Sequence, residues 1–179
     1  GILNIAIEGI MIVGAATGFL ATYLTGSLIW GAVVAMLVGG LFGLILAFYS
    51  VKMKTSQIII GLGLLVLGMG LSSLIYRLFI GVQLVAPQID VLPNLPIPFL
   101  AQIPFVGDIF FNQNIFVYIG FILVPVVYFV LNKTPLGLRL RAGGENPRAV
   151  DVLGINVFQI RTGATIIGSM IIALAGLYL

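Results

Sequence analysis

Five runs of about twenty apolar residues, each long enough to cross a hydrocarbon layer as one helix, set the limits on what this chain can become. They extend approximately from Ile5 to Leu24, Ile29 to Tyr49, Gln57 to Ile80, Ile115 to Leu131 and Thr162 to Leu179. None alternates apolar and polar residues with period two, so a membrane β-barrel is excluded. The expected fold is all-α: a polytopic transmembrane bundle of about five spans in an integral membrane protein. Composition agrees, since 61% of residues are hydrophobic and only 7% charged, against about 25% charged in soluble domains. No polar stretch is long enough to build a soluble domain with its own core, so residues 1–179 read as a single transmembrane domain. Neither a Met nor a basic leader precedes the first run, and the last run reaches the chain end with no polar flank. Both points suggest a piece of a longer protein, not a chain opened by a signal peptide.

Lys and Arg in short loops stay on the cytoplasmic side, so their positions orient the spans. Lys52 and Lys54 lie in the second connection, and Lys133, Arg139, Arg141, Arg148 and Arg161 in the fourth. These two connections belong inside. The Thr25 to Leu28 turn carries no charge, and the connection 81–114 carries Asp90 and Asp108 without Lys or Arg. Those two belong outside, and the alternation holds across all five spans. The outer loop 81–114 contains Pro87, Pro93, Pro96, Pro98 and Pro104, which bias it to extended and turn conformations. Its Ile97, Phe99, Leu100, Phe105 and Val106 suit either a lid packed on the helix ends or a docking surface for an external partner.

Gly14/Gly18 and Gly39/Gly43 have GxxxG spacing, and Gly61, Gly63, Gly68 and Gly70 crowd the third run. In lipid, small residues let helix backbones approach closely, so these are chiefly packing signals. Trp30, Tyr76, Tyr118 and Tyr128 read as interfacial or packing aromatics, and Arg77 as a cation snorkelling to the outer interface.

Catalysis is not expected. Cysteine and histidine are both absent, which removes thiol chemistry, the commonest zinc ligands and the usual proton shuttle near neutral pH. No GxxxxGK[ST] loop is present, because Lys52, Lys54 and Lys133 follow Val51, Met53 and Asn132 instead of glycine. Any ATP-driven work requires another subunit.

The fourth connection, 132–161, is the one well-charged segment, and its residues spell out a short helix. Asn146 can cap it, Pro147 occupies the favoured first position, and Gly154 suits the left-handed residue that ends it. The predicted helix covers Pro147 to Leu153. Its Ala149, Val152 and Leu153 share one face, with Arg148 and Asp151 on others. So short a helix does not hold in water alone. It is either set into a partner's groove or laid on the membrane surface as an amphipathic connector.

The string GGENPRAVDVLGI, following LGLRLRA, resembles the cytoplasmic coupling segment of permease subunits of ATP-binding cassette importers. The similarity is specifically to the branched-chain amino acid, simple sugar and nucleoside permease superfamily. LNIAIEGIMIVGA (Leu3 to Ala15) and TSQIIIGLGLLVLGMGLSSLIYR (Thr55 to Arg77) resemble two further blocks of its nucleoside and simple-sugar branch, in the family's order. The family commonly has Asn-Gln where this chain has Ser56-Gln57, and often Asn in place of Leu65.

The resemblance implies a partial chain of a larger type II importer-like permease in the bacterial cytoplasmic membrane. It implies import of a nucleoside or simple sugar by alternating access, driven by a separate cytoplasmic ATPase that binds the ATP and Mg; this chain itself holds no cofactor or metal. A second permease subunit, identical or homologous, would complete the path, and an external binding protein would deliver substrate. The surrounding bilayer is the remaining partner, with no role for nucleic acid. The coupling contact to the ATPase would comprise Gly144, Glu145, Asn146, Pro147, Arg148, Ala149, Asp151, Leu153 and Gly154. Asn4, Glu8 and Gln57 are candidates for the substrate pathway. Glu8 is the only acid within an apolar run, and intramembrane ionisable groups mark function by default. The plainer reading puts it in the first turn of its helix, stabilised by the helix N-terminus. The alternative function is a secondary transporter or channel working without ATP, with Glu8 as its ion or proton site.

Overall fold

The computed structural model describes residues 2–81, 95–96 and 111–178, the middle pair by backbone alone. Most of the expected outer loop thus lies outside the described residues. Seven helices follow in order: α1 (Ile7–Thr25), α2 (Leu28–Ala47), α3 (Gln57–Phe79), α4 (Ile115–Lys133), α5 (Pro135–Glu145), α6 (Pro147–Val152) and α7 (Val157–Tyr178). Five of them, with α2 prolonged to Lys52, are long and apolar enough to span a membrane. The protein is an all-α, multi-pass membrane protein. Its only described strands are two residues each, Leu95–Pro96 paired antiparallel with Asn112–Gln113.

The chain forms two compact units, residues 1–89 with 139–179, and residues 90–138. In the first, α1 lies against α2, α3 and α7, and α2 packs closely on α7. Ala6, Ile10, Val13, Phe42, Leu46, Leu64 and Ala173 make the core. Glycine governs these crossings. A Cβ on Gly39 would stand 2.5 Å from the Ser169 carbonyl oxygen, one on Gly14 2.6 Å from Ala173 Cα, and one on Gly68 2.7 Å from the Gly9 carbonyl carbon. Backbone against backbone at this range maximises dispersion contact where no hydrophobic effect draws helices together. Gly63 and Gly70 of α3 have open space instead. The α1–α2 turn closes on Gly26, at φ +65°, which donates to the Thr22 carbonyl at 2.8 Å.

Two boundaries differ from the sequence reading. The second span does not stop at Tyr49 but continues through a π-helical turn, Phe48–Lys52. The last begins at Val157, not Thr162, because Asn156 caps it by accepting from Gln159 N–H at 3.1 Å.

The second unit holds α4, whose start is capped by the Asn114 side chain accepting from Val117 N–H at 3.2 Å. Among the described residues of α4 none is buried. The connection after it turns sharply at Thr134, whose hydroxyl donates to the Val130 carbonyl at 2.5 Å and accepts from Gly137 N–H at 3.2 Å. Pro135 then opens α5 at the position where a missing N–H costs nothing. The stretch 132–161 is therefore largely helical.

Candidate functional site: the elbow between α5 and α7

Residues Gly143 to Arg161 form an elbow in the first unit, built from successive caps. Asn146 serves both neighbours at once. Its N–H donates to the Ala142 carbonyl at 2.9 Å, closing α5, and its side-chain oxygen accepts from Ala149 N–H at 3.2 Å, opening α6. Pro147 follows at the first helical position. At the other end Gly154, at φ +73°, donates to Asp151 O at 2.9 Å while Ile155 donates to Val150 O at 3.3 Å. This pair of bonds is a Schellman ending, which requires the left-handed residue that glycine supplies without steric cost.

The caps fix which way α6 faces. Val150 is 3% exposed and anchors the helix, while Val152 is 88% and Leu153 75% exposed. Ala149 and the charged Glu145, Arg148 and Asp151 are exposed as well, with Gly154 beside them. The elbow thus presents a small apolar face flanked by both signs of charge. The apolar positions divide differently from the sequence reading, in which Val150 had no part. Its signal was present: a Schellman motif pairs apolar residues three before the cap and two after it, here Val150 and Ile155.

A second contact holds the elbow. Arg161, on α7, donates from Nε at 3.2 Å and from Nη2 at 2.9 Å to the Gly143 carbonyl oxygen. Gly143 is buried and Arg161 half-buried. Arg161 was read only as a cytoplasmic charge.

The three pathway candidates sit at the heads of α1 and α3. Gln57 Oε1 accepts from Leu3 N–H at 2.7 Å, and Asn4 Oδ1 accepts from Ala6 N–H at 3.0 Å. Glu8 is exposed in the first turn of α1. A cavity of about 330 Å3 brings Asn4 together with Gly144, Leu140, Arg161 and Thr165, but includes neither Glu8 nor Gln57. A larger one, about 690 Å3, lies further along α1, α3 and α7, lined by Phe19, Ser72, Ser73, Tyr76 and Arg77 among others. Among the described residues there is no cluster of acidic side chains able to hold a metal ion.

All of residues 1–179 match the family described as "Branched-chain amino acid transport system / permease component". A putative glucose ABC transporter permease of Haloferax volcanii is 36% identical over 183 residues, covering 100% of this chain and 54% of the relative. A guanosine ABC transporter permease of Bacillus subtilis is 36% identical over 98% of this chain and 56% of its own length. A nucleoside ABC transporter permease of Lactococcus lactis is 30% identical over 98% and 57%. The chain spans about half the length of these curated relatives. No solved structure matches.

Proposed function

This chain belongs to the family of branched-chain amino acid transport system permease components, and from that premise we propose that the whole protein is the membrane subunit of an ATP-driven importer. The relatives named for glucose, guanosine and nucleosides support a sugar or nucleoside as the substrate class. It works as a translocation subunit without an active site of its own; ATP and Mg are handled by a cytoplasmic ATPase. A second permease, identical or homologous, completes the path, and an external binding protein delivers substrate.

The observation that carries this reading is α6. A six-residue helix buried at Val150 and bare at Val152 and Leu153 is half of an interface. Burying a Val or Leu side chain is worth about 1.5–3 kcal/mol, which water withholds until a partner covers it. Glu145, Arg148 and Asp151 around the apolar pair supply orientation in place of bulk affinity. The positive-inside expectation puts this face in the cytoplasm, where the ATPase is. ATP binding can change the permease only through unequal affinity for its two orientations, and the elbow is where that difference is felt. In the path itself, Glu8 accepts hydrogen bonds from substrate hydroxyls, with Asn4 and Gln57 shaping the helix heads beside it.

The test is a Val152→Asp, Leu153→Asp double variant of the full protein, expressed with its ATPase. The expected result is at least tenfold less ATPase in the purified complex at an unchanged membrane level of permease. Equal ATPase recovery and equal uptake would overturn the coupling role. Uptake persisting with no ATPase present would favour a secondary transporter using Glu8 as its ion site.

A further inference from the structure

The last turn of α5 contains a carbonyl that its own helix cannot satisfy. In a continuing helix, the Gly143 oxygen accepts from the N–H four residues later; here that residue is Pro147, which has none. The preceding carbonyl, Ala142, is paired normally with Asn146 at 2.9 Å. The break that allows α6 to start thus leaves one buried acceptor open, and such a group costs its full desolvation if left unpaired. Arg161 closes it from α7, eighteen residues away in sequence, with two donors of one guanidinium on the single oxygen at 3.2 and 2.9 Å. A cation there also meets the negative end of the α5 dipole.

We infer that Arg161 is a positioning residue that makes the elbow and α7 move as one body, so that a push on α6 from the ATPase reaches a membrane-spanning helix. The inference rests on the proposed role of α6. One further observation supports it. The elbow is not packed solid against the bundle, since a cavity of about 330 Å3 is lined jointly by Gly144, Leu140, Arg161, Asn4 and Thr165. Side-chain packing beside the Arg161 contact is therefore incomplete. A planar fork on one oxygen holds both distance and direction.

The experiment uses the full permease assembled with its ATPase in proteoliposomes. Arg161→Met keeps the side chain's length without its donors, and Arg161→Lys keeps the charge with a single-point contact. The expected outcome is that Arg161→Met lowers uptake at least tenfold while ATP hydrolysis stays within about twofold of the parent, with Arg161→Lys recovering part of the uptake. Uptake within twofold of the parent, or uptake and hydrolysis falling by the same factor, would overturn the inference. Should Arg161→Met not fold, spin labels at Asp151→Cys and Ile167→Cys in a cysteine-free protein measure the α6 to α7 distance. Arg161→Lys is then expected to broaden it, and an unchanged distribution refutes the clamp. A parent complex that recruits no ATPase refutes the α6 reading and this inference together, whereas a parent that couples alongside an Arg161→Met that couples equally refutes the clamp alone.

Discussion

The elbow from Gly143 to Arg161 and the helix heads around Asn4, Glu8 and Gln57 both gather polar residues at helix ends, yet they differ in what faces outward: two charge signs around an apolar pair at the elbow, a single carboxylate at the helix heads. In the elbow, Asn146, Gly154, Asn156 and Arg161 all serve backbone groups, and what remains exposed is the apolar pair Val152 and Leu153 flanked by the charged Glu145, Arg148 and Asp151. At the helix heads, Asn4 and Gln57 likewise serve backbone N–H groups, and the Glu8 carboxylate is exposed beside the apolar Leu3 and Ile7. Polar side chains in a membrane protein divide between holding backbone and meeting a ligand. Under the proposed function, the side chains left outward would meet a protein surface at the elbow and a hydroxyl-bearing solute at Glu8.

The contrast can be broken most severely at Gly154. Gly154→Val puts a β-branched residue at φ +73°, where left-handed backbone costs about 1–2 kcal/mol for an ordinary residue and more for a branched one. Uptake is expected to fall at least tenfold at an unchanged membrane level, read by substrate accumulation against immunodetected protein. Next comes Glu8→Gln, which keeps shape and removes charge. Its expected effect is a rise of about fivefold in the KM for uptake, equivalent to about 1 kcal/mol, with kcat nearly unchanged; normal uptake at low substrate would remove Glu8 from the path. The smallest effect belongs to Gln57→Leu, which deprives Leu3 N–H of its acceptor. A neutral hydrogen bond is worth about 1 kcal/mol net, so thermal stability in detergent should drop by a few degrees. The KM should move less than for Glu8→Gln, and a larger shift would make Gln57 a substrate contact instead.

Much of this architecture can be read from the residues, for identifiable reasons. The spans follow from run length, and α6 follows from Asn146, Pro147 and Gly154, because caps act within a few residues and need no knowledge of tertiary structure. α5 escaped the same reading although Thr134 and Pro135 announce its start. The pair Gly143-Gly144 reads as a loop, and only the bond from Arg161 shows why the helix persists through it. Arg161, read as a cytoplasmic charge of the fourth connection, lies inside α7 with its charge held on a carbonyl. The π-helical turn after Ala47 has no counterpart in the residue pattern. In α3, spacing alone could not separate Gly61 and Gly68, which meet Ile5 and Gly9, from Gly63 and Gly70, which meet nothing within 4 Å. That distinction is made by the neighbouring helix and not by the sequence of α3.

The two helix stops at Pro147 and Gly154 also set a phase. With 3.6 residues per turn, adding or deleting one residue between them would rotate everything beyond by about 100°. Val152 and Leu153 would then turn toward the bundle or along the membrane, with every side chain still present and every cap still chemically intact. Such a segment tolerates substitution on its charged positions far better than it tolerates any change of length.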